Sequence, residues 1–175
     1  AVVGAGAVGA SVALELARRG ADVVVLETGS GWGAGCSRAN AGVAARLVDP
    51  LPYAVAKYRS AAYRRALEAH LASGRFDRLV CDFLVPAVNL RGRPPCPSVL
   101  FTHNVEAEIW RRHAENAGRG LARWLYGVQH RRMLRFEGNT LRRFEGILAV
   151  SDADAQTFDR LYNGAFTKPI HVVPT

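Results

Sequence analysis

Two places in this chain have residue types and spacings that could do chemistry. The first is Gly4-Ala5-Gly6-Ala7-Val8-Gly9, set between the apolar Ala1–Val3 and a helix-patterned run from about Val8 to Arg19. Gly4 permits a tight turn, Gly6 lets backbone approach a pyrophosphate, and Gly9 lets the helix pack closely on the strand. The helix N-terminus offers phosphate oxygens unpaired N–H groups and the positive end of its dipole. An apolar strand over Val23–Leu26 then ends in Glu27. That acid stands roughly 20 residues along, where a carboxylate can accept hydrogen bonds from ribose hydroxyls and disfavours a 2′-phosphate. Together these residues have the chemistry of a dinucleotide site.

The second place is Thr102-His103-Asn104-Val105-Glu106, with Asp82 closing an earlier apolar run. Both lie where predicted strands end, which is where open α/β sheets bind ligands. His103 has a tunable pKa suited to proton transfer; its plainer role is a structural histidine at a strand end. Asp82 could contact a bound molecule. Asn104 could cap the following helix and Glu106 lie in its first turn, or either could touch ligand. Ser151 also ends a strand, and there capping is the expected role.

The elements that must position these groups alternate. Tyr53–Ala72 reads as one amphipathic helix closed by Ser73-Gly74, Leu79–Phe83 as a strand, and Ser98–Thr102 as the next after the Pro-rich Arg91–Pro97. Helices are expected over about Val105–Asn116 and Leu121–Arg143. A strand over Ile147–Val150, a helix over Asp152–Leu161 and a strand over Ile170–Val173 complete the pattern. This order predicts an α/β fold: a Rossmann-like, parallel, doubly wound sheet.

Composition narrows the class. The 175 residues are 49% hydrophobic and 22% charged, which is globular and enough for one ordinary domain. The formal charge of +8 comes almost entirely from arginine. A basic surface could face anionic lipid, a nucleotide or nucleic acid, but no nucleic-acid-binding signature accompanies the charge, so no such partner is expected. Cys36, Cys81 and Cys96 are scattered and form no CxxC pair; they read as free thiols in a reducing, cytoplasmic setting, with no metal site expected. No apolar run approaches the ~20 residues of a membrane span. The helix bearing Arg131, Arg132, Arg135, Arg142 and Arg143 also carries Trp124, Leu125, Val128, Met133 and Phe136. It reads as a solvated arginine face over a buried apolar one, or as a helix lying on an anionic membrane surface on the inner face.

Two resemblances add to this reading. Residues 1–43, with Ser37, Asn40, Ala41 and Gly42 in the loop Gly33-Ala34-Gly35-Cys36-Ser37-Arg38-Ala39-Asn40-Ala41-Gly42, resemble the FAD-binding start of D-amino acid dehydrogenases and glycine oxidases. That resemblance implies FAD, with the Ser-x-x-Asn-Ala-Gly stretch close to the flavin, and oxidation of an amine or amino acid. Residues 51–175 are similar to the N-terminal, acceptor-side domain of group 1 (GT-B) glycosyltransferases of exopolysaccharide clusters. The matching pieces are DPLPYAVAKYRS, FDRLVCDFLVPAVNL, PCPSVLFTHNVEAEIWRRH, and LRRFEGILAVSDADAQTF followed by HVVPT. This second resemblance implies a nucleotide-sugar donor and a small-molecule or lipid-linked sugar acceptor. It also implies a cleft role for His103, with Asp82, Asn104 and Glu106 near the acceptor. Glu137 and Glu145 have the E-x7-E spacing of that enzyme class, but the class carries its pair in the other domain, so the spacing is taken as chance.

The register changes at Arg46–Pro52, which sets an expected boundary between a βαβ segment at 1–47 and an acceptor-side domain at 48–175. Both segments are expected to be partial. The leading functional expectation is a glycosyltransferase fragment with little activity alone; the alternatives are a fragment of an FAD-dependent amino acid dehydrogenase, or a non-catalytic nucleotide- or membrane-binding module. Both segments are parallel α/β, so they are expected to share one hybrid sheet.

Overall fold

The computed structural model describes residues 2–3, 7–26, 49–162 and 169–173. In chain order these form β1 (Val2–Val3), α1 (Ala7–Arg18), β2 (Val25–Leu26), α2 (Tyr53–Ala56) and α3 (Ala61–Ala72). Then come β3 (Leu79–Asp82), a 3₁₀ helix (Val85–Asn89), β4 (Ser98–Thr102), α4 (Glu106–Asn116), α5 (Leu121–Leu141), β5 (Gly146–Ala149), α6 (Asp152–Tyr162) and β6 (Ile170–Val172). The six strands make one sheet in the order β2-β1-β3-β4-β5-β6. Every pair is parallel. The expected Rossmann-like parallel sheet is therefore what forms, its first two strands joined to the rest where Val2 and Val3 of β1 pair with Val80 and Cys81 of β3.

Strand alternation sorts the side chains. In register, Leu79, Cys81, Leu100 and Ile147 share one face, and all four are completely buried. Leu67, Met133, Leu141, Phe144 and Phe158 from the helical side join them in one core. Val80, Val99 and Leu148 share the other face and are half-buried. Asp82 and Phe101 pair across β3 and β4 at the carboxyl end of that second face. Period-two alternation adds His103 to it.

Helix starts are held by side chains from distant elements. The segment expected as one helix over Tyr53–Ala72 is two. Lys57–Ser60 interrupts it, and Ser60 accepts a hydrogen bond from the Tyr63 amide, capping α3. Asn89 fixes the break: its Oδ1 accepts from the Ser60 amide at 2.9 Å and its Nδ2 donates to the Tyr58 carbonyl at 3.1 Å. Gln129 of α5 accepts from the Tyr53 amide at 2.7 Å, at the start of α2. Arg143, expected on the solvated arginine face, instead turns inward and donates to the Leu90 and Ala87 carbonyls at the end of the 3₁₀ helix.

The start of α4 is held the same way, and not by Asn104. Val105 occupies the cap position without a side-chain bond. Glu137, fully buried in α5, supplies both acceptors: Oε1 to the Glu106 amide at 2.9 Å and Oε2 to the Ala107 amide at 3.1 Å. The Tyr162 hydroxyl donates to the same Oε2 at 2.6 Å. Burial pushes the Glu137 carboxyl up to about 7, against the three donors that favour its charge. Burial and the neighbouring Glu137 charge push the Tyr162 phenol up, so it remains a donor.

One sheet and one core imply a single cooperative thermal transition, read by circular dichroism and calorimetry. Leu100→Ala should lower its stability by about 2–5 kcal/mol. Glu137 adds a pH dependence. Its ordinary value is 4.5 and its folded value about 7. Between these the folded chain keeps a proton that the unfolded chain has released, so stability falls as pH rises through that window. Urea unfolding should therefore show the wild type losing up to about 3 kcal/mol relative to Glu137→Gln across it.

Candidate functional site

The carboxyl edge of a parallel sheet collects the ends of all its strands, and here it contains a topological switch. The chain leaves β1 toward β2 on one side and returns to β3 on the other. A crevice opens at such a point, outside the strand ends, and open α/β sheets bind ligands there. Val3 pairs with Cys81, the residue before Asp82, so the end of β1 and Asp82 stand side by side on this edge. α1 begins at Ala7, within the glycine fingerprint.

Of the fingerprint residues, Gly9 lies in the first turns of α1. Gly4, Gly6, Glu27, Ser37, Asn40, Ala41 and Gly42 lie outside the described residues, as does Cys36.

The second group does come together. His103 Nε2 and Asp82 Oδ1 are 2.8 Å apart. The Asp82 side chain is 1% exposed and that of His103 13%. With Asp82 ionised, Nε2 carries the proton and Nδ1 is left as an acceptor. Nδ1 has no hydrogen-bond partner among the described residues, so the ring is oriented by a carboxylate on one nitrogen and keeps an acceptor lone pair on the other. Orientation of one nitrogen and a lone pair on the other are two of the features of a general base.

Two phenylalanines clamp the ring. Phe83 stacks on it with centroids 3.9 Å apart and planes at 20°, and Phe101 lies at 4.5 Å, tilted by 44°. Phe83 has φ +68°, the left-handed region, the one such non-glycine among the described residues. Its amide donates to the Phe101 carbonyl at 2.9 Å, which continues the β3–β4 ladder by one bond and turns its ring over His103. A bulky residue held in this region is strained, and such strain concentrates at functional sites. No sequence signal announces the strain at Phe83. Phe101 was findable, because it stands two residues before His103 on one strand.

The remaining candidates sit at the margin of this group. Asn104 is exposed. Glu106 lies in the first turn of α4 as expected, and burial pushes its carboxyl up. Ser151 is a cap, as expected: its Oγ accepts from the Asp154 amide at 3.1 Å and donates to the Asp154 carboxylate at 2.6 Å. Cys81 is buried below Asp82, and burial pushes its thiol up to about 12, so it is not a nucleophile.

Replacing Phe83 should separate strain from stacking. Phe83→Ala loses the ring contact and keeps the unfavourable φ, whereas Phe83→Gly loses the contact and relieves it. Chemical denaturation should find the glycine variant more stable than the alanine variant by about 1–2 kcal/mol, the reverse of the usual order.

A comparison with known families matches residues 1–167 to the family described as DAO, FAD dependent oxidoreductase. The match carries the flavin-type likeness well beyond Val43, through β3, β4, β5 and α6, and gives sugar transfer no support. No curated protein and no solved structure matches this chain. With the match extending over nearly its whole length, the chain belongs to the FAD dependent oxidoreductase family.

Proposed function

We propose that this chain forms the nucleotide-binding part of an FAD-dependent oxidoreductase acting on an amine or amino acid. The observation that carries the reading is the match over residues 1–167, taken with a β1–α1–β2 unit standing at the switch point of the sheet. The described residues fit the pyrophosphate end of FAD. α1 starts inside the glycine fingerprint, at the carboxyl end of β1, and presents its free N–H groups at the crevice. Gly4, Gly6 and Gly9 would give the backbone room beside the phosphates. Glu27 would accept from the adenosine ribose, and Ser37, Asn40, Ala41 and Gly42 would run near the flavin.

FAD, when bound, accepts the hydride equivalent lost from the carbon that carries the amine. The chain's own contribution is to hold the cofactor and to move a proton. His103, fixed by Asp82 at Nε2, offers Nδ1 to take a proton from a substrate ammonium, which frees the nitrogen lone pair. Asp82 keeps the ring in the tautomer that can do so.

A second reading rests on the same pair. His103 and Asp82 would also suit an acceptor-side cleft in which a sugar hydroxyl gives its proton to His103 while its oxygen takes the glycosyl group of a nucleotide sugar and the nucleoside diphosphate leaves, with Asn104 and Glu106 contacting the acceptor. The family match favours the flavin reading over this one.

Titrating the purified chain with FAD separates the two. The flavin reading expects near-stoichiometric binding, lost in Gly6→Val, and bleaching of the flavin by an amino acid under anaerobic conditions. His103→Gln should slow that bleaching by about 10²–10⁴-fold while FAD affinity is kept. A chain that takes up no FAD, or transfer of sugar from a UDP- or GDP-sugar, would overturn it.

A further inference from the structure

The tip-side part of the α4–α5 hairpin reaches beyond the core, which takes in Ala107, Met133 and Leu141 at its base and has Trp110 packed against it. Not one residue from Glu108 to Val128 is buried, and the hairpin's two helices pack chiefly on each other. Trp110, His113 and Tyr126 hold them together with ring centroids 5.6–6.1 Å apart. Burial in α5 begins at Gln129, where the helix meets the start of α2. The hairpin is thus a projection, and Ala117–Gly120 forms its tip. Gly120 takes φ +100° there to start α5.

The tip exposes what soluble surfaces usually cover. Leu121 is 71% exposed and Trp124 is 61% exposed. They stand three residues apart, on one side of the first turn of α5, and Leu125 and Val128 continue the stripe inward. Around them positive charge predominates. From Glu108 to Arg135 the sequence carries Arg111, Arg112, Arg119, Arg123, Arg131, Arg132 and Arg135 against Glu108 and Glu115. Arg111 pairs with Glu108 and Glu115, and Arg112 with Glu108. Arg119, Arg123 and Arg131 are exposed and make no ion pair with a described residue. No described helix is long and apolar enough to cross a membrane.

We propose that this tip is an interfacial anchor that docks the chain on an anionic lipid surface. Leu121 and Trp124 enter the boundary between headgroup and acyl chain, while Arg119 and Arg123 lie among the phosphates with their stems along the apolar side. The charge complementarity selects lipid of negative sign. The apolar wedge selects a bilayer over nucleic acid, because leucine at the most exposed position reads neither a base nor a phosphate. The inference is independent of the flavin reading.

Co-sedimentation of the full chain with phosphatidylcholine vesicles, with and without phosphatidylglycerol, tests it. Binding should need the anionic lipid and weaken as salt is raised. Trp124→Ser should weaken it roughly tenfold, and Arg119→Gln and Arg123→Gln by about fivefold each. All three positions are exposed, so unchanged melting curves should confirm intact folds. Equal binding to neutral vesicles, no binding, or binding indifferent to these variants would overturn the proposal. So would a concentration-dependent dimer lost in Trp124→Ser, which would make a second copy the occupant, or salt-sensitive binding to nucleic acid in place of vesicles.

Discussion

The pairing of β1 with β3 is the contact on which this molecule depends. β1 and β2 alone are two residues each, too short to persist as a free ribbon. Laid beside β3, they extend a sheet whose other strands are backed by a single core. The same pairing reverses the direction in which the chain adds strands, and this reversal opens the crevice at the carboxyl edge. Without it β3, which ends in Asp82, would be the edge strand of its sheet.

A parallel sheet also forces long crossovers, and each crossover helix begins with N–H groups that have no partner inside the helix. Here α3 and α6 use the local serines Ser60 and Ser151, while other partners come from across the fold. Gln129 serves α2, Asn89 serves the turn into α3, and Glu137 serves α4. Each is a buried polar group whose desolvation cost is offset by hydrogen bonds that nothing else in the fold could supply. Arg143 does the same for carbonyls at the end of the 3₁₀ helix. The helices are therefore tied to one another by polar contacts as well as packed by apolar ones, which fixes their register on the sheet.

These links explain what could be read from the sequence and what could not. Strands β3 to β6 and helices α4, α5 and α6 follow from apolar periodicity, and their observed ends lie within one or two residues of expectation. Ser151 was recognisable because its partner Asp154 is three residues away. Capping was one of two readings open for Asn104, for an equally local reason, and Glu137, thirty-odd positions distant, holds that helix start instead. The break at Lys57–Ser60 was missed because alanine and tyrosine continue a helical pattern there, while the group that stabilises the break, Asn89, is on another element. Glu137 itself looked like a chance spacing, since its worth lies entirely in what it meets after folding. The site divides the same way. His103 and Asp82 were each recognisable as strand-end residues, whereas their pairing and the inverted backbone at Phe83 were not. The flavin-type likeness was expected to stop near Val43, where its short motif stops, and the family match carries it to residue 167.

Glu137 also connects the two regions that face outward. α4 begins three residues after His103, and its first two amides rest on the Glu137 carboxylate. The segment His103-Asn104-Val105 is therefore short and pinned at both ends, by Asp82 on the sheet side and by Glu137 on the helical side. From the same pinned point the hairpin projects to its arginine-rich tip. The Glu137 carboxylate is held by Tyr162 of α6 as well as by α4, so the segment that carries His103 is tied through it to two elements.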